Sequence, residues 1–148
     1  MTALFVPNLG GGRRKRERDR VAFHKGETVT FEGLVIGESP YCRPSYGFLH
    51  ASRTSLCTSP TKEVETLRRP LPLDRLELVR VRRRQKSDPR GIRPYFEVAE
   101  CRDGGAEVLI VCAPEHMAYV REALGGGFGG SLISHLLGGR AICHRAYC

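Results

Sequence analysis

The stretch from Pro94 to Leu124, PYFEVAECRDGGAEVLIVCAPEHMAYVREAL, constrains the fold more than any other part of the chain. Its opening YFEVAE alternates, with Phe96 and Val98 on one face and Glu97 on the other, which is the period of a β-strand. Arg102-Asp103-Gly104-Gly105 supplies the turn chemistry that closes a β-hairpin. AEVLIVCA is too continuously apolar to alternate, which predicts a strand covered on both faces. Pro114 then stands where a helix can begin, because the missing N–H costs nothing in a first turn, and Glu115 suits the positive helix end. Ala113, Met117, Val120 and Leu124 share one stripe, and Gly125-Gly126-Gly127 ends the helix. The predicted anchor is a hairpin followed by a capping helix.

The chain before this anchor reads as strands. Thr28–Ile36 is rich in β-branched residues and runs into the turn-prone Gly37-Glu38-Ser39-Pro40. Tyr46–Ser52 and Thr54–Thr58 are separated so briefly that they predict a second hairpin. Ser59–Pro70 is polar and predicted to be a loop, and Leu71–Val81 alternates with Leu76, Leu78 (or Val79) and Val81 placed to face a core. Arg82–Pro94 carries the breakers Asp88-Pro89 and Gly91 and is predicted to be a basic loop. Successive hairpins with no helix between them predict an antiparallel sheet or partly open barrel of six or seven strands, with one helix at the end. Gly125–Gly130 is expected to be a flexible linker, and Ser131–Leu137 is too short to be a stable isolated helix. Residues 1–20 are thus expected to be a flexible basic arm, 21–126 the folded domain and 127–148 a glycine-rich tail. The tail composition also suits a fragment or alternative product of a larger chain.

Charge is concentrated. The net charge of +8 divides into +4 on Met1–Arg20 (six basic, two acidic residues), +6 on Arg80–Arg93 (seven basic, one acidic) and −2 on the remainder. A near-neutral body with two strongly basic segments suits a phosphate-bearing partner, on a lipid or a nucleic acid. The basic run Arg13, Arg14, Lys15, Arg16 also has the composition of a nuclear import signal or an electrostatic membrane tether. No apolar run reaches the roughly 18 to 20 residues of a bilayer span. The first residues lack the charge order of a signal peptide, so a cytoplasmic, peripheral-membrane or nuclear location with reduced thiols is expected. The six cysteines include no C-x2-C pair, and free thiols follow from that spacing and location, with Cys57, Cys101 and Cys112 as small core residues.

The order of elements between about Phe23 and Leu124 resembles a pleckstrin-homology domain. Phe31-Glu32-Gly33-Leu34 resembles that family's first strand, and Arg43-Pro44-Ser45-Tyr46-Gly47-Phe48-Leu49 its second. Leu71-Pro72-Leu73-Asp74 is similar to the approach to the middle strands, Tyr95-Phe96-Glu97-Val98 to the sixth strand, and Val108–Glu122 to the last strand and helix. The resemblance implies a mainly β fold, in which a seven-stranded antiparallel, partly open barrel is capped by one C-terminal α-helix. It further implies a signalling or targeting module that binds phosphoinositides or protein partners. The chain departs from the pattern twice. It has no Trp for the helix stripe, leaving that place to Val120 or Tyr119, and Gly37–Ser45 offers only Arg43 where head-group binders have several basic residues.

Enzyme chemistry finds little support. Gly125-Gly126-Gly127-Phe128-Gly129-Gly130 follows a helix instead of a strand and lacks a P-loop lysine. His135, Cys143, His144 and Cys148 match no common zinc spacing, so neither metal nor cofactor is expected. The candidate anion-binding residues are Arg43, Arg80, Arg82, Arg83, Arg84, Lys86, Arg90 and Arg93, with Arg13, Arg14, Lys15 and Arg16 as a second basic arm. Guanidinium forks there suit phosphate oxygens. The expected function is a non-catalytic adaptor that binds an anionic membrane surface or an acidic protein. The alternative is a small β-barrel binding RNA or single-stranded DNA, with Tyr41, Tyr46, Phe48 and Tyr95 as stacking candidates. A plain solvated loop is the third reading of the same charges.

Overall fold

The structure is a computed structural model, and it describes residues 5–125. Seven strands form one antiparallel sheet: β1 (Val29–Ile36), β2 (Arg43–Ala51), β3 (Leu56–Ser59), β4 (Arg69–Pro70), β5 (Leu76–Arg83), β6 (Glu97–Asp103) and β7 (Ala106–Cys112). Their spatial order is β4-β3-β2-β1-β7-β6-β5, and the sheet curls into a half-barrel. Two helices accompany it, α1 (Phe5–His24) and α2 (Pro114–Ala123).

The predicted anchor is present. β6 and β7 pair from Glu97↔Cys112 to Asp103↔Ala106, and the turn between them holds Gly104 at φ +65°, where a side chain would be strained. β7 is covered on both faces, as its apolar run predicts. Val108, Ile110 and Cys112 join the inner core, while Leu109, Val111 and Ala113 join a second cluster on the outer face. α2 starts with Pro114 in its first turn and ends where Gly125 turns at φ +73°. Met117, Tyr119, Val120 and Ala123 plug the inner core, so both residues named for the missing Trp reach it.

The β2–β3 hairpin also forms, closed by a hydrogen bond from the Ser52 N–H to the Ser55 carbonyl at 2.9 Å. On β5, Leu76 is buried and Leu78 and Val81 pack against the inner core. Val79 is 51% exposed because the ladder slips between Leu78 and Arg80, leaving Val79 as the extra residue of a bulge. The polar stretch expected to be only a loop contains the two-residue β4 and a short 3-10 turn, Glu65–Leu67. Edge pairing with β3 creates β4, and Pro70 tolerates that position because an edge strand leaves one side unpaired.

The largest departure is at the start of the chain. A flexible arm was expected over residues 1–20, but Phe5–His24 is helical. Strong helix formers fill its second half, and Lys15–Asp19 (2.7 Å) and Glu17–Arg20 (2.6 Å) pair along it. Its end is docked: Phe23 is buried in the inner core with its ring 4.7 Å from that of Tyr119. Burial of a phenylalanine contributes about 2 kcal/mol, and that tertiary term supplies what a helix without an apolar stripe lacks. Among the described residues Cys42, Cys101 and Cys112 are free thiols, whereas Cys57 is disulfide-bonded, contrary to its expected free state. The predicted linker Gly125–Gly130 beyond Gly125, the segment Ser131–Leu137, and His135, Cys143, His144 and Cys148 lie outside the described residues.

A braced basic loop as candidate functional site

The end of β5 and its connection to β6 carry seven of the eight candidate residues, all but Arg43, and the structure divides them into two groups. Alternation along β5 turns Val81 inward and Arg80 and Arg82 outward, beside Glu100 of β6. Arg80 donates to both Glu100 oxygens at 3.0 and 3.3 Å, and Arg82 donates from Nε to the same carboxylate. Arg82 also donates two hydrogen bonds to Asp88, at 2.9 and 2.8 Å. Its side chain is only 13% exposed and that of Asp88 only 5%. Asp88 accepts the Gln85 N–H at 2.7 Å, and its own N–H bonds the Gln85 carbonyl at 3.0 Å. Arg82 is therefore the pin of a tight turn, a position in which it faces protein instead of solvent. The Arg82 hydrogen bonds hold Asp88 below the usual carboxylate range, and those of Arg80 and Arg82 do the same for Glu100.

Arg93 is held at the other end of the loop. It makes a bidentate pair with Glu32 at 2.5 and 2.9 Å, with its guanidinium 4.5 Å from the Tyr46 ring and 5.3 Å from Phe96. The Arg93 N–H donates to the Tyr46 hydroxyl at 2.9 Å. Between these braces Ile92 is buried on the outer sheet face with Leu34, Phe96, Val98 and Val111. Arg80, Arg82 and Arg93 thus fix the loop to the barrel. Arg43 stands at the start of β2 and not on the loop, half-buried, and its Nε lacks a hydrogen-bond partner among the described residues.

Arg83, Arg84, Lys86 and Arg90 remain. All four are exposed, and among the described residues none of their side chains makes an ion pair. Tyr95 follows them, 62% exposed and edge-on to Phe96 at 4.9 Å. The other proposed stacking rings are occupied. Tyr41 is buried and donates to Asp103 at 2.7 Å, Tyr46 lies under Arg93, and Phe48 is half-buried beneath Lys62.

The basic arm lies elsewhere. α1 docks on the inner core through Phe23, whereas the loop docks on the outer cluster through Ile92, so the two basic segments meet opposite faces of the sheet. Lys15 is paired with Asp19, and Arg13, Arg14 and Arg16 are exposed. Residues not foreseen from sequence are the acceptors Glu32, Asp88 and Glu100 and the ring of Tyr46. Only Asp88, three residues from Gln85 inside a turn, left a local signal. Among the described residues no group of three or more His, Cys, Asp or Glu side chains could hold a metal ion, and no helix is long and apolar enough to cross a membrane.

Fold and site together define a mainly β half-barrel that carries a rigidly braced, cationic loop. No family model, curated protein or solved structure matches the chain.

Proposed function

We propose that the protein is a non-catalytic, pleckstrin-homology-like adaptor that docks on an anionic membrane surface through Arg83, Arg84, Lys86 and Arg90. One observation carries this reading: among the described residues these four cations make no ion pair, while three neighbouring arginines brace the loop beside them. A braced loop loses little conformational entropy on binding, so more of the electrostatic gain appears as affinity. Tyr95, exposed beside the patch, suits the interfacial zone, where an amphipathic ring has both water and acyl chains within reach. The antiparallel half-barrel and its closing C-terminal helix support the family part of the proposal.

Co-sedimentation with phosphatidylcholine vesicles, with and without 30% phosphatidylserine, tests it. Each basic side chain near an anionic leaflet contributes about 1 kcal/mol, so four contribute about 4 kcal/mol, or two to three decades in partition. Binding should require phosphatidylserine, weaken in high salt and fall by that amount in R83Q/R84Q/K86Q/R90Q. Binding to single-stranded RNA with none to either vesicle would overturn the membrane reading in favour of a nucleic-acid partner.

A further inference from the structure

A second cationic surface lies on the opposite side of the sheet, between the two helices. Arg13, Arg16, Glu17 and Arg20 fall at the i, i+3, i+4 and i+7 positions of α1, so they share one stripe. Together with Arg14, Glu115 and Tyr119 that stripe lines an open cleft of about 600 Å³ against the first turns of α2. The two helices meet where the Phe23 ring lies tilted, 4.7 Å from that of Tyr119, and charges from Lys15, Asp19 and Arg16 reach His116.

The stripe is electrostatically unsatisfied. Arg16 has Arg13 three residues before it and Arg20 four residues after it, and Arg14 and Arg18 are likewise four apart. Like charges at these spacings destabilise a helix by about 0.2 to 0.5 kcal/mol per pair. Glu17 stands four residues after Arg13 and three after Arg14, but its carboxylate binds Arg20 at 2.6 Å, and Asp19, three residues after Arg16, binds Lys15 instead. Among the described residues no carboxylate pairs with Arg13, Arg14 or Arg16. The helix also runs through Gly10-Gly11-Gly12, and glycine is the costliest residue type short of proline in a helix interior. A helix with this composition gains stability from an anion in the cleft.

We propose that the α1–α2 cleft is an anion site distinct from the loop patch, and that it takes a small, multiply charged phosphate compound. Guanidinium groups converging on one cavity favour phosphate over carboxylate. A phosphate offers three or four oxygens to be shared among several forks, and a carboxylate offers two. Tyr119 and Glu115 also line the cleft, and the Glu115 carboxylate opposes an anion there. The ligand is either a soluble oligophosphate or a phosphorylated lipid headgroup.

Sodium tripolyphosphate is the probe, used with the full chain. It should raise the melting temperature and helical circular dichroism beyond what sodium chloride at equal ionic strength does. In R13Q/R16Q its Kd should weaken at least tenfold, and in R83Q/R84Q/K86Q/R90Q it should stay within twofold. E115Q should tighten it several-fold and E65Q, on the distant 3-10 turn, should not, which separates a local site from net charge. Vesicles of phosphatidylcholine with 5% phosphatidylinositol bisphosphate form the second arm. Competition between vesicles and tripolyphosphate for Arg13 and Arg16 assigns the lipid source, and its absence assigns the soluble one. Equal losses in the helix and loop variants, or a sodium chloride effect equal to that of tripolyphosphate, would overturn the proposal.

Discussion

His50 on β2 should make the fold sensitive to mild acid, well before its carboxylates do. The side chain is fully buried, with Nδ1 2.9 Å from Thr30 Oγ1 and Nε2 2.8 Å from Ser59 Oγ. The Ser59 hydroxyl gives its only proton to the Thr61 carbonyl, 2.5 Å away. Nε2 must therefore donate to Ser59, and Nδ1 accepts from Thr30. Every polar atom of the neutral ring is then satisfied, and a second ring proton would have to displace the one from Thr30. Burial, with some help from the charge of Arg68, pushes the His50 pKa down from 6.5 to about 4. The unfolded chain therefore binds a proton that the folded one refuses. The stabilisation is complete above pH 6.5 and is lost as the pH falls from 6.5 toward 4. The gap between those values is worth about 3 kcal/mol at its limit, of which about 2 to 3 kcal/mol should be gone at pH 4.5. Asp88, Glu100, Asp103 and Glu32 are all held below their ordinary values by arginine hydrogen bonds, and the stability they contribute is lost only as the pH falls from that ordinary range, about 4, through their depressed values. His116 is also depressed by burial and contributes in the same window. Urea denaturation from pH 7.5 to 4.5 on wild type, H50Q and H116Q separates the two. The glutamine amide can donate to Ser59 and accept from Thr30 but does not titrate. H50Q should flatten the profile by about 2 kcal/mol or more in that window. An unchanged slope in H50Q would refute both the inferred tautomer and the burial argument.

Two further substitutions test the frame that holds the sites. R82M removes the hydrogen bonds to Asp88 and Glu100 and leaves a buried carboxylate unpaired, so stability should fall by roughly 2 to 4 kcal/mol. Limited proteolysis should then cut between residues 84 and 92 faster than in the unsubstituted protein. In Gly33→Ala the new Cβ would sit 2.5 Å from the Val111 carbonyl oxygen and 2.8 Å from Leu49, where β1 crosses from β2 to β7. Neither neighbour can withdraw freely, so a loss of about 3 kcal/mol is expected by chemical denaturation.

Local chemistry made the β6–β7–α2 anchor legible in the sequence. The alternation of YFEVAE, the Gly104 turn, the apolar run of β7 and Pro114 each depend on residues within a few positions of one another. α1 was not legible because its stability comes from Phe23 reaching Tyr119, nearly a hundred residues away in sequence, while its own glycines argue against a helix. β4 was missed for a similar reason, since two residues carry no period and only pairing with β3 defines them. Nor could spacing distinguish Cys57 from the free thiols.

The arginines of the candidate loop illustrate the same limit on the functional side. In sequence Arg80, Arg82, Arg83, Arg84, Arg90 and Arg93 are equivalent cations. Their roles separate only when acceptors 6, 18, 20 and 61 residues away are brought beside them. The arginines opposite Glu100 and Glu32 are held in ion pairs, whereas Arg83, Arg84, Lys86 and Arg90 make none among the described residues. The same placement bears on the idea of two basic segments gripping one surface. Phe23 seats α1 against the inner core and Ile92 seats the loop against the outer cluster, with β7 between them. On the proposed readings, a planar membrane that meets the loop lies on the other side of the sheet from the α1–α2 cleft, so the two proposed anion sites would be separate electrostatic elements of one sheet.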